Sequence, residues 1–296
     1  MSFEQISDAD YNAMNGWRCT SFKNVHKFGL FDELNPPHRV EKPAFTFGSA
    51  LHCAVLENER FDDDYGVGSK PTEKINALVQ LANAGLEMVV HTASKTSTTK
   101  KFKDESAELD NSKSFLVLPE EKESVISALE NDKKIILTKT EMSTIKYMRE
   151  NIMSKYGDLI EGSEREFVMT ANIDGIDLKV KVDVFNPEFG VMIDLKSICA
   201  LNFKDIVWDS AKFFYYLQVA FYQNVMNANG IDINQNGFLF SSKADFRSQL
   251  YISNAEFMAS GQAKFNNVAR QIVDYQETGN ISGVTMTMIT PDELKR

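Results

Sequence analysis

Apolar and polar positions change their period roughly halfway along the chain. In the first half, apolar residues recur at three- and four-residue spacing, the period of a helix buried on one face. Ser7, with Asp10 three residues on, reads as an N-cap opening a first helix. Phe47, Leu51, Cys53, Ala54 and Leu56 mark a second helix, and residues 72–90 a third. Pro119 followed by two acids is a helix start. Ile145, Met148, Ile152 and Met153 place another helix over 140–156. From Glu164 to Phe185 the period becomes two, around the turn dipeptide Asp174-Gly175, which predicts a β-hairpin. A short apolar strand over 191–195 follows, then a long aromatic helix over 203–226. Strands are predicted at 237–241 and 249–252, and a last helix from the cap Asn254 to about Tyr275. The order predicts an α/β fold: a mixed sheet flanked by helices, with a large helical N-terminal elaboration. It is read as one domain, with residues 1–160 mainly helical, 161–280 the α/β core and 281–296 a tail.

Composition narrows the class. The 296 residues are 43% hydrophobic and 25% charged, which excludes a mostly disordered chain. A chain of this length buries roughly 75% of its unfolded surface and needs no staples. The three cysteines, Cys19, Cys53 and Cys199, are scattered, so neither a disulfide framework nor a zinc or iron–sulfur site is expected. The opening residues have no basic-then-apolar leader, and no apolar run approaches the ~20 residues of a membrane span. A reducing cytoplasm is the expected location. The net charge of −10 argues against broad coating by nucleic acid, though not against a local channel.

Parity in the strands points to chemistry. Ile176, Leu178, Val180, Val182 and Val184 share one face of their strand; Asp177, Lys179, Lys181 and Asp183 share the other. A two-residue turn at Asp174-Gly175 sets Val182 against Phe167 and Asp183 against Glu166, with Glu164 one step along. Like charges facing each other cost roughly 0.2–1 kcal/mol, so such a grouping needs a cation, a proton or solvent. In the next strand Asp194 and Lys196 are again neighbours on one face. Several carboxylates and one ammonium on adjacent strands form an oxygen-rich site suited to Mg²⁺ or Mn²⁺. Gln218 and Tyr222 lie at i and i+4 on one face of the aromatic helix. His52 interrupts an otherwise apolar helical segment, where a histidine serves either as a core residue or as a ligand.

Together these residues resemble the PD-(D/E)XK nuclease superfamily, in its RecB-like branch. They are most similar there to the phage-type RecE exonucleases, the family of the exonuclease VIII nuclease domain. Gly48 to His52 is similar to that family's GxxxH helix, Glu164-Arg-Glu-Phe167 to its acidic strand, Asp183 with Asp194-Leu-Lys196 to the name-giving motif, and Gln218 with Tyr222 to its QxxxY helix. The proline that precedes the first Asp of the motif is Val182 here. The resemblance implies that His52, Asp183, Asp194 and the Leu195 carbonyl bind the metal. It implies that Lys196 orients or deprotonates the attacking water, that Glu164 completes the acidic shell, and that Gln218 and Tyr222 steady the site or contact DNA. Pairing through a two-residue turn puts Glu166 opposite Asp183, a longer turn would shift the pairing, and the resemblance favours Glu164. No iron–sulfur cluster is implied, because that subgroup uses four cysteines.

The implied activity is Mg²⁺-dependent hydrolysis of linear double-stranded DNA from 5′ ends, releasing 5′-phosphorylated nucleotides and leaving a 3′ overhang for recombination. An endonuclease on the same fold and a catalytically silent DNA-binding module are the alternatives. The resemblance further implies a ring-shaped homo-oligomer, a single-strand annealing protein as partner, and a phage or prophage origin in a bacterial cytoplasm. Lys95, Lys100, Lys101 and Lys103 form a basic segment that is a candidate DNA-facing loop.

Overall fold

The structure, a computed structural model, describes residues 3–36, 43–68, 72–90, 113–130 and 134–281. Lys95, Lys100, Lys101, Lys103 and the tail from 282 onward lie outside the described residues. In chain order the elements are β1 (Glu4–Gln5), α1 (Asp8–Ala13), β2 (Trp17–Arg18), α2 (Cys19–Phe28), α3 (Leu30–Leu34), α4 (Pro43–Leu56), α5 (Asn58–Asp64) and β3 (Tyr65–Val67). Then come α6 (Glu73–Asn83), β4 (Glu87–Val90), β5 (Ser114–Val117), α7 (Pro119–Glu130), β6 (Ile135–Leu137) and α8 (Lys139–Glu161). The remainder is β7 (Glu164–Ile173), β8 (Ile176–Asn186), β9 (Val191–Ile198), α9 (Phe203–Lys212), α10 (Tyr215–Ala228), β10 (Gln235–Ser242), β11 (Ser248–Ile252) and α11 (Ala255–Thr278).

The chain divides into two compact units, Met1–Lys42 with Met148–Arg296, and Pro43–Tyr147. Residues 3–36, read from sequence as part of a helical elaboration, thus share a unit with β7, β8 and β9. They give its sheet two short strands: β1 pairs antiparallel with β7, and β2 parallel with β8. The sheet runs β1-β7-β8-β9-β10-β11, with β9 and β10 parallel and the other neighbours on this path antiparallel. In the second unit, β3 pairs with β6 and β4 with β5, both parallel, and Ile75, Val79, Phe115, Val117 and Val125 form a small core.

The hairpin forms as expected. Asp174 and Gly175 both take positive φ, 51° and 83°, the conformation a two-residue turn needs to match strand twist. The register Phe167↔Val182 and Met169↔Val180 follows. Two helices differ from expectation. The helix predicted over 72–90 stops at Asn83, because the chain turns at Gly85 with φ of 88° and 87–90 enter a strand. The helix predicted over 203–226 is two helices, broken where Phe214 adopts φ of 53°. No Gly or Pro marks that break. Tertiary packing selects it: Phe214 sits edge-on to His26, while Tyr215 turns to stack on Phe238.

The core of the first unit lies between the sheet and α2, α10 and α11. Phe22, Phe221 and Phe265 meet there, with ring centroids 4.8 Å and 5.1 Å from Phe22. Helix α1 is capped at both ends by side chains. Ser7 accepts the Asp10 N–H, and the buried Lys179 donates to the carbonyls of Tyr11 at 2.8 Å and Met14 at 2.6 Å. Burial, then Arg18, pushes the Lys179 ammonium down. Lys179→Met leaves those carbonyls without their donor, so a loss of about 1–3 kcal/mol is expected. A lowered urea midpoint at unchanged slope is the measurement; an unchanged midpoint would show the cap to be inert.

Candidate active site

Three strands and two helices of the first unit bring the polar residues together. The β8–β9 ladder is short, running Val184↔Ile193, Phe185↔Met192 and Asn186↔Val191. One further step would set Asp183 opposite Asp194. The ladder opens instead, and Asp183 Oδ2 accepts the Leu195 N–H at 2.9 Å. A side chain thus takes the place of a backbone acceptor and satisfies a donor that the fork exposes. Further along, β8 pairs with β2 at Leu178 and Lys179. The two motif acids therefore stand at the mouth of a fork in the sheet.

On the other side of β8 the acid brought to this point is Glu166. Arg165↔Val184 and Phe167↔Val182 keep register around it, but Glu166 itself has φ of 49°. A non-glycine residue in the left-handed region of a strand is strained and persists only where its surroundings over-determine it. Glu166 is buried, and one of its carboxylate oxygens lies within 4.8 Å of one of Asp183. Glu164, the acid favoured by the resemblance, pairs with Phe185 instead, one residue pair beyond Val184. The two-residue turn fixes the register that makes 166, not 164, the opposite number of 183. Lys181 ion-pairs with Glu166 at 2.9 Å and with Asp8 at 2.7 Å. Burial alone would lower the Lys181 ammonium, but Glu166 and Asp8 hold it above the ordinary lysine range.

Asp194 is 7% exposed and is held from two sides. Gln218 Nε2 donates to Oδ1, and the Lys196 ammonium pairs with Oδ2. The Lys196 ammonium is thus the partner of the buried Oδ2. Burial would lower Lys196, yet Asp194 and then Asp183 overcome it and keep the ammonium well above its usual value. Lys196 also lies 5.6 Å from the centre of the Tyr215 ring, and Lys23 of α2 lies 5.4 Å from it. Burial raises the Tyr215 phenol to about 12 against the lowering pull of Lys196. Burial likewise drives the Tyr222 phenol well above its ordinary value, with Cys19, Asp194 and Asp183 adding to it. Both tyrosines are therefore protonated at neutral pH and can act as donors, not as bases.

The structure brings Asp183, Asp194, Lys196, Gln218 and Tyr222 to one place in the first unit. His52 belongs to the second unit, on α4, where it is partly exposed among buried neighbours such as Leu51 and Cys53. Lys23 and Tyr215 were missed. A single lysine on an amphipathic helix has no signal that separates it from a surface lysine, and Tyr215 is one of many aromatic residues in its helix. Lys181 was legible only as a residue sharing Asp183's face. The donor set fits a hard divalent cation: carboxylate oxygens from separate strands, beside an ammonium.

A forked mixed sheet with paired acids and a lysine defines a PD-(D/E)XK-type core. The chain belongs to the family described as PDDEXK-like domain of unknown function (DUF3799), whose model matches residues 30–283. A solved structure of a candidate exonuclease from Eubacterium rectale shares the fold, with a TM-score of 0.50 at 14% identity over 98% of each chain. Another structure, described as SSO0001, aligns at 11% identity over 73% of this chain and 96% of its own, with a TM-score of 0.27 that supports no comparison. No curated protein matches significantly. Among the described residues no helix is long and apolar enough to cross a membrane.

Proposed function

We propose that the protein is a divalent-metal-dependent deoxyribonuclease, acting as an exonuclease on linear double-stranded DNA. The observation that carries this reading is the fork, where Glu166, Asp183 and Asp194 converge beside Lys196. Asp183, Asp194, Glu166 and the Leu195 carbonyl would hold Mg²⁺ or Mn²⁺, with His52 as a further ligand by its place in the GxxxH segment. When bound, the ion polarises the phosphodiester and lowers the pKa of water enough to make it a nucleophile at neutral pH. The protein's own part is positional and electrostatic. Asp183 is oriented by the Leu195 N–H, and Asp194 by Gln218 and Lys196. Lys196 stays charged and faces charge that develops on the phosphoryl oxygens. Beside the carboxylates, Lys196 orients or deprotonates the attacking water and offsets charge on the phosphoryl oxygens. Tyr222 is a neutral hydrogen-bond donor available to substrate.

The finer reading follows the RecE-type resemblance: digestion from 5′ ends, 5′-phosphorylated nucleotides as product, and a 3′ overhang. A ring-shaped homo-oligomer working beside a single-strand annealing protein in a bacterial cytoplasm belongs to the same reading. The experiment is incubation of 5′- and 3′-labelled linear duplex with Mg²⁺, with Mn²⁺ and with chelator. Early release of 5′ label only, none under chelator and none from closed circles, is expected. Nucleotide release that persists in chelator would reject the metal-dependent site, and cutting of closed circles would make the enzyme an endonuclease.

A further inference from the structure

Lys23 is a lysine of the site that no motif contains. It projects from α2, between the buried Phe22 and the helix's polar side, and its Nζ donates to Gln218 Oε1 at 2.7 Å. Gln218 Nε2 in turn donates to Asp194 Oδ1. The chain Lys23–Gln218–Asp194–Lys196 thus begins and ends on an ammonium and runs through two buried side chains.

We propose that Lys23 is a positioning residue that sets the orientation of the Gln218 amide and, through it, the metal-binding carboxylate of Asp194. The inference rests on the metal-dependent reading above. The argument is one of hydrogen-bond inventory. An amide presents an acceptor on one side and two donors on the other, and can turn over by rotation of its last torsion. A lysine ammonium can only donate, so it takes Oε1. Nε2 must then face Asp194, whose ionised carboxylate can only accept. With Lys23 gone, Oε1 loses its donor and the amide keeps only its bond to Asp194, so the amide, and the carboxylate it holds, are less tightly placed. The bond to Gln218 also commits Oδ1 and so leaves Oδ2 to face Lys196 and the cation. The packing is specific to a long cation: Lys23 reaches Gln218 past the Tyr215 ring that Lys196 flanks as well.

Partners that orient a metal ligand typically govern cation affinity by 10–100-fold when removed. The test is Mn²⁺ titration by calorimetry of the wild type, Lys23→Met, Lys23→Arg, Gln218→Met and the Lys23/Gln218 double variant, with folding followed by circular dichroism. Lys23→Met is expected to weaken Mn²⁺ about 10–100-fold, and Lys23→Arg, still a donor, to recover most of it. The double variant should bind no more weakly than Gln218→Met alone, because Lys23 acts only through the amide. Lys23→Ala, which leaves room for water, serves if the methionine variant does not fold. Unchanged Mn²⁺ affinity in the folded Lys23 variants, or effects of Lys23 and Gln218 that multiply, would overturn the proposal. Absence of Mn²⁺ binding by the wild type would instead overturn the metal-dependent reading beneath it, and this inference with it.

Discussion

Asp194→Asn is expected to remove nuclease activity, lowering the initial rate of nucleotide release from linear duplex DNA by at least about 1,000-fold. The substitution keeps size and shape and changes only charge and donor pattern. In the wild type both neighbours of the carboxylate are donors: Gln218 Nε2 on Oδ1 and Lys196 on Oδ2. An asparagine must turn its own NH₂ toward one of them, donor against donor, and it offers no negative charge to a cation on either side. Three orders of magnitude correspond to about 4 kcal/mol of transition-state stabilisation. Lys196 suffers as well. Its raised ammonium depends on Asp194 first and Asp183 second, and desolvation opposes both. Without Asp194 the lysine is pulled back toward the neutral amine. Stability will also fall, because removing one partner of a buried pair leaves an uncompensated charge worth roughly 3–5 kcal/mol. The rate is therefore to be measured at a temperature where circular dichroism reports a folded variant. Activity within tenfold of wild type would exclude Asp194 from the chemistry.

Gly261→Ala is expected to be the most damaging single methyl in the first unit. Gly261 lies on α11 where that helix crosses α10. A Cβ there would collide with the Tyr216 carbonyl, sitting 2.7 Å from its carbon and 3.2 Å from the Ala220 side chain. The obstacle is backbone within a helix, which cannot rotate out of the way. Alanine in place of glycine within a helix contributes up to about 1 kcal/mol in its own favour. Overpacking of this kind costs typically 1–3 kcal/mol or more, and here it forces two helices apart. Net destabilisation of about 1–3 kcal/mol is expected, read as a lower urea midpoint. Because α10 carries Gln218 and Tyr222, any displacement of that helix moves two site residues, so activity should fall by more than the folded fraction does. A midpoint equal to wild type would mean the helices can part without cost.

Much of this architecture was legible because it rests on local physics. The Asp174-Gly175 turn determined the hairpin and its register, since only a short primed turn suits two residues able to take positive φ. That register already set Glu166 against Asp183. The resemblance favours Glu164, which the same register sets against Phe185. The N-caps Ser7 and Asn254 were equally readable, each a side chain satisfying a nearby N–H. Strands of two to four residues such as β1, β2 and β4 carry too few positions for a period to show. Their pairing is decided by the sheet they join.

Determined by the sequence alone were the hairpin, the Asp-x-Lys strand end, the i, i+4 pair of Gln218 and Tyr222, and hence the PDDEXK-like class. Each is a property of neighbours in the chain. Tertiary structure alone decided the fork between β8 and β9, the left-handed Glu166 and Phe214, and the arrival of Lys23 on Gln218. Each of those depends on groups far apart in sequence meeting in a place where a buried donor or acceptor has to be satisfied, and no local pattern encodes which partner will be there.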